Sequence, residues 1–152
     1  MQSKKIKAWD TEIWLKETEN KTTLTLYGMY KSNVNEESCI DNTEGARLIC
    51  RARTDTQPLN WRNRFKNREV ECTPCNSEIE TNIHFILQYS AWENIHREWV
   101  FLLQLEDKSV EEKLRNILIF EKIPTKDIIE RKAFMVKIWR ARRGLIQRAR
   151  EE

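Results

Sequence analysis

Across 152 residues the chain has only three glycines and three prolines, and this scarcity restricts its architecture more than any motif does. A loop-rich all-β fold needs turn formers every few residues, whereas helices run long without them. The apolar pattern agrees. Ile6, Trp9, Ile13 and Trp14 fall on one stripe of a first helix over 6–19. Thr22 and Thr23 can cap a second helix carrying Leu24, Tyr27, Tyr30 and Val34, and the polar stretch Ser32 to Asn42 reads as a loop. Asn42 or Thr43 can start a third helix through Ala46, Ile49, Cys50 and Arg53, which must end before Pro58. From about Glu80 one long central helix is expected through Ile83, Ile86, Leu87, Trp92, Ile95, Trp99, Leu102 and Leu103. Ser109 and Glu112 form a capping box ahead of Val110, Leu114, Ile117 and Leu118. A last helix over 126–150 carries the stripe Ile128, Met135, Ile138, Trp139, Leu145 and Ile146. The expectation is a single, mainly α domain over 1–152. It divides into N-terminal helices (6–40), an arginine-rich and knuckle region (43–105) and C-terminal helices with a basic tail (109–152).

A net charge of +3 says little about partners, but its distribution says more. Arg47, Arg51, Arg53, Arg62, Arg64, Lys66 and Arg68 face the single acid Asp55 within 47–68, and segment 131–150 is basic with no acid at all. On the last helix Lys137, Arg140, Arg143 and Arg148 fall opposite the apolar stripe. Two basic zones on a near-neutral chain suit a polyanion, RNA or DNA, although a solvated basic face fits the same pattern equally well. No apolar run approaches the ~18 residues of a membrane span. Met1 to Lys7 leads into Trp9 without an apolar signal region, so an intracellular setting, nuclear or cytoplasmic, is expected; a secreted chain with its signal removed would read the same.

In a reducing compartment the tight pair Cys72-Thr73-Pro74-Cys75 points to metal binding or redox chemistry before a structural bridge. The redox reading is the weaker. Thioredoxin-type pairs follow a buried strand, and Asn67-Arg68-Glu69-Val70-Glu71 is too polar for one. Cys39 and Cys50 read as ordinary single cysteines.

The segment from Ala46 to Glu98 resembles the C-terminal region of non-LTR (LINE-class) retrotransposon reverse transcriptases. There a helix ending in an Arg-rich turn leads to Cys-x-x-Cys, then Glu-Thr-x-x-His-Phe, then Cys-Pro. The matching positions are Arg51 to Thr54, Leu59, Cys72, Cys75, Glu80, Thr81, His84 and Phe85, and weaker similarity extends the match to residues 8–100. The resemblance implies a Cys-Cys-His-Cys metal knuckle that contacts nucleic acid, set between the third helix and the central one, with Cys72, Cys75 and His84 as zinc ligands. The fourth position is occupied by Tyr89, a poor zinc ligand, and the following proline is Ser90. This departure ranks a metal-free knuckle, with His84 packed on a Trp- and Ile-rich core, ahead of zinc. His96, twelve residues beyond His84, would lie about 18 Å away on a continuous helix and could not complete the site, which leaves Cys50, Glu80 or water for the fourth position.

The paired aspartates of polymerase chemistry are absent, as are a P-loop, a nucleophile elbow and His-Glu-x-x-His, so no enzyme is expected. Two functions remain. The first is a non-catalytic nucleic-acid-binding module, with Arg47, Arg51, Arg53, Arg62, Arg64, Lys66, Lys137, Arg140, Arg143 and Arg148 on phosphates and Trp61 or Phe65 stacking on a base. The alternative is a helical protein-interaction module whose metal site has been lost and whose partner is another protein.

Overall fold

A computed structural model describes residues 11–31, 37, 39–60, 71–75 and 79–151. It is mainly helical, and among the described residues the one β feature is an isolated antiparallel bridge between Glu71 and Ile79. Helix α1 is described over 11–18. A single 3₁₀ turn, Thr22–Leu24, leads into α2 (Thr25–Tyr30), shorter than the apolar pattern suggests; Val34 lies outside the described residues, as do Ile6 and Trp9.

Helix α3 spans Glu44–Arg53 because Thr43 caps it, its hydroxyl accepting from the Ala46 N–H, while Glu44 sits in the first turn and Arg51 and Arg53 in the last, as the helix dipole favours. Helices α4 (Glu93–Leu102), α5 (Val110–Ile117) and α6 (Thr125–Glu151) follow. Both halves of the Ser109–Glu112 capping box form at the start of α5.

The helix stops are unusual. After α3, α4 and α5 the chain enters left-handed geometry at Asp55 (φ 51°), Gln104 (φ 54°) and Ile119 (φ 57°), a conformation that normally selects glycine. Each stop has the same paired hydrogen bonds. After α3, for instance, the Thr56 N–H reaches the Arg51 carbonyl at 2.8 Å and the Asp55 N–H reaches that of Ala52 at 3.3 Å. Two buried arginines hold the C-terminal end of α5. Arg53 donates to the Leu118 carbonyl (2.7 Å), the Ile119 carbonyl and the Glu37 carboxylate. Arg131 donates to the Asn116 carbonyl and side chain at 3.1 and 2.7 Å. Cationic donors at orphan C-terminal carbonyls complement the helix dipole.

Helix α3 lies along α6, and Gly45 is what lets it come so close. A Cβ there would sit 2.5 Å from the Lys132 Cβ and 2.8 Å from its carbonyl oxygen. The core between them gathers Leu48, Ile49 and Ala52 of α3, Phe134, Met135 and Ile138 of α6, and Leu114, Ile117 and Leu118 around α5. Each large side chain so buried is worth roughly 1.5–3 kcal/mol.

The expected continuous central helix is broken. Asn82 and Ile83 enter a π-helical turn, His84–Gln88, then Tyr89 is extended (φ −68°, ψ 109°), and a 3₁₀ turn Ser90–Trp92 precedes α4. At the break Tyr89 is fully inside, stacked on Trp92 (3.8 Å between centroids, 16° between planes).

Candidate metal centre

The Glu71–Ile79 bridge pins the neck of the knuckle, and Thr73 to Cys75 form its turn. Cys72 has no exposed surface and Cys75 is half-buried. The Cys75 N–H lies within hydrogen-bonding reach of the Cys72 sulfur, so the turn folds its own backbone around the thiol. Thr81 then starts the next helical turn, its hydroxyl accepting from the His84 N–H at 3.2 Å, and that turn carries a buried imidazole back to the cysteines. Cys72, Cys75 and His84 each offer one ligand atom, and all three atoms lie within 4.8 Å of one another. Zn–S bonds of about 2.3 Å give tetrahedron edges near 3.8 Å, so the three groups reach one ion with sub-ångström shifts. Two thiols and an imidazole are also the donor types a zinc ion selects. The residues present therefore fit a metal ion. Burial pushes the Cys72 thiol up to about 12, opposed by the adjacent Tyr89 hydroxyl and the Cys75 backbone N–H, so without a nearby cation it stays protonated.

Tyr89 stands beside this group. Its ring centroid is 5.2 Å from that of His84, its hydroxyl donates to the Glu80 Oε1 at 3.3 Å, and it is in hydrogen-bond contact with Cys72. Burial, with Cys72 and Glu80 adding to it, holds the phenol well above its ordinary range. The next residue, Ser90, places its hydroxyl 3.4 Å from the Cys75 sulfur.

Glu80 is the hub. It is wholly buried and takes two parallel hydrogen bonds of 2.7 Å from Arg142 of α6. It also accepts from the Asn60 N–H at 2.6 Å, and the Asn60 side chain donates to the Glu71 carbonyl (2.7 Å) and the Thr73 hydroxyl (2.9 Å). The knuckle is thereby tied to both the segment before it and the last helix. Arg142, Asn60 and the anchoring role of Glu80 were not singled out by the sequence reading. A signal existed for Arg142, which lies four residues from Ile138 and three from Leu145, on the apolar stripe.

The basic residues separate into three groups. Arg53 is the correction: it is 2% exposed, and its guanidinium is consumed by Glu37 and the end of α5, so it is not a phosphate contact. Lys137 and Arg140 are exposed but paired, with Glu98 (3.0 Å) and Glu44 (2.8 Å), and Arg47 is exposed and donates to the Asn42 carbonyl. Arg51, Arg143, Arg148 and Arg150 are exposed and make no ion pair among the described residues. Trp61, Arg62, Arg64 and Lys66 lie outside the described residues. His96, excluded as a ligand, instead donates to the Ile86 carbonyl, and its Nε2 is buried without a partner.

An open cleft of about 680 Å³ lies next to the knuckle, lined by Asn60, Thr73, Arg143, Gln147, Arg150 and the acid Glu151 among others. Fold and site together define a mainly helical protein with a two-cysteine, one-histidine group able to hold a metal ion beside a basic cleft. Among the described residues no helix is long and apolar enough to cross a membrane. No family model, curated protein or solved structure matches this chain.

Proposed function

We propose that the chain is a non-catalytic nucleic-acid-binding module related to the C-terminal segment of LINE-class reverse transcriptases, with a zinc-held knuckle forming one wall of its binding cleft. The observation that carries this reading is a juxtaposition. Thr73, between the two knuckle cysteines, lines the same cleft as Arg143 and Arg150 of α6. The chain also runs on from Asn60, in that lining, into the basic sequence Trp61-Arg62-Asn63-Arg64. Cys72, Cys75 and His84 would hold the ion, which supplies a cross-link between the knuckle turn and the helical turn that follows it. The cleft offers guanidinium groups for phosphates, with the Asn60, Thr73 and Gln147 side chains as neutral polar groups beside them.

The test is fluorescence anisotropy with single-stranded RNA and DNA oligonucleotides across a salt series. If four phosphates are neutralised, the single-strand slope of about −0.7 per contact gives roughly a 50-fold loss of affinity between 50 and 200 mM salt. Arg143→Glu with Arg150→Glu abolishes the binding. No binding at 50 mM salt sinks the proposal. The metal half is tested separately by elemental analysis: about one zinc per chain, falling towards zero in Cys72→Ser.

A second reading, a protein-interaction module, is favoured by the exposed apolar pair Phe101 (74%) and Leu102 (49%) at the end of α4. It predicts a partner that stays bound after nuclease treatment and is lost in Phe101→Asp.

A further inference from the structure

Among the described residues three ligand atoms leave a four-coordinate ion one position short, and the groups around that gap are specific to this chain. On one side stands Tyr89, whose ring cannot swing towards the ion. It is clamped between the stacked Trp92 ring and the edge of Phe85, at 85° to it. Its hydroxyl proton is directed at Glu80, and Glu80 is fixed in turn by the Arg142 fork and the Asn60 N–H. The phenol is thus held by its own partners, with its one proton committed to Glu80. On the other side the cluster is reachable from solvent: Cys75 is half-buried, Ser90 is exposed, and the two touch.

We propose that the ion held by Cys72, Cys75 and His84 keeps an exchangeable fourth position on the Cys75–Ser90 side, open to one small monodentate donor such as water, a thiol or imidazole, with Tyr89 held on Glu80 beside the site and not serving as a ligand. This rests on the metal reading above. The Ser90 hydroxyl beside Cys75 is placed to hydrogen-bond a donor bound there. The arrangement is that of a three-ligand site with an open corner, whereas purely structural sites close all four positions with protein atoms.

The experiment uses the full chain loaded with cobalt(II), whose near-ultraviolet thiolate bands count sulfur ligands and whose visible bands report the coordination sphere. Imidazole is titrated in while the thiolate bands are monitored to show that the ion stays bound. The expected result is a saturable shift of the visible bands in the parent protein, and the same spectrum and shift in Tyr89→Phe. Tyr89→Cys, if it folds, supplies a third thiolate, raises the near-ultraviolet intensity by about half, and abolishes the response to imidazole. A parent spectrum inert to imidazole overturns the open position while leaving the metal site intact. A visible spectrum that changes in Tyr89→Phe as a lost ligand would do overturns the assignment of Tyr89. Failure to bind cobalt at all removes both this inference and the metal reading beneath it, and the oligonucleotide titration reports on nucleic-acid binding independently of either.

Discussion

Replacing Arg142 with leucine removes the cation from a carboxylate that has no exposure of its own. Glu80 and Arg142 have side-chain exposures of 0% and 6%, and the two 2.7 Å hydrogen bonds between them are parallel. Breaking a buried pair by deleting one partner typically costs about 3–5 kcal/mol, because the surviving charge stays buried. Here Glu80 keeps the Asn60 N–H and the Tyr89 hydroxyl, which places the loss at the lower end, about 3 kcal/mol. For a chain of this size that corresponds to a fall of roughly 6–12 °C in Tm. Urea unfolding followed by tryptophan emission measures it, at one fixed free-zinc concentration, because anything bound only to the folded state shifts apparent stability. The second half of the prediction separates charge from packing. Adding Glu80→Gln to Arg142→Leu removes the orphan charge, leaves an oxygen to accept from Asn60, and turns the other atom into a donor for the Tyr89 hydroxyl. The double variant should therefore recover at least about half of the loss. A single-variant cost below about 1 kcal/mol, or a double variant less stable than Arg142→Leu alone, would refute the reasoning.

Gly45→Ala drives a methyl group into the Lys132 backbone and should cost about 1–3 kcal/mol, whereas Gly144→Ala meets open space within α6 and should gain about 1 kcal/mol; thermal unfolding of the pair checks both signs. Gln104→Gly relieves left-handed geometry at an exposed side chain, and the gain, net of glycine's greater unfolded freedom, should be about 0.5–1 kcal/mol in urea unfolding. His96 titrates below its ordinary value because burial disfavours the cation, with the Ile86 carbonyl opposing. The unfolded chain therefore takes up that proton first, so its stability contribution is complete above about pH 6.5 and is lost as pH falls towards the folded-state value. His96→Leu should flatten the stability profile between pH 7 and 5 by up to about 1.4 kcal/mol per pH unit, and an unchanged slope would count against a buried neutral imidazole.

The helices were legible because their signals are local. Thr43, Ser109 and Glu112 cap where caps belong, and the stripe Ile128, Met135, Ile138 repeats at helical spacing. The stops were harder to read, since Asp55, Gln104 and Ile119 occupy positions where glycine would have marked the end. The break at Tyr89 left one trace, the five-residue step from Leu87 to Trp92, which overshoots a helical period. The three ligand-type side chains were named from the sequence, but their convergence depends on Thr81, Glu80 and Arg142, and the last two meet across 62 positions. Arginine burial was not legible either. Arg53 sits in a basic run, and nothing near it in sequence announces that the end of α5 will claim it.

That separation of 62 positions has a temporal side. At synthesis rates of about 5–20 residues per second, Glu80 is made roughly 3–12 s before Arg142 exists. In that interval the nascent knuckle lacks the arginine that pairs with Glu80 in the folded chain, and settling the carboxylate into an apolar interior without it is unfavourable. The ribosome thus imposes an order of events: the cysteine turn can form early, but its inner wall seals only once α6 has been delivered. A ribosome stalled between those two residues would hold a chain with that face still open, vulnerable to proteases and available to chaperones.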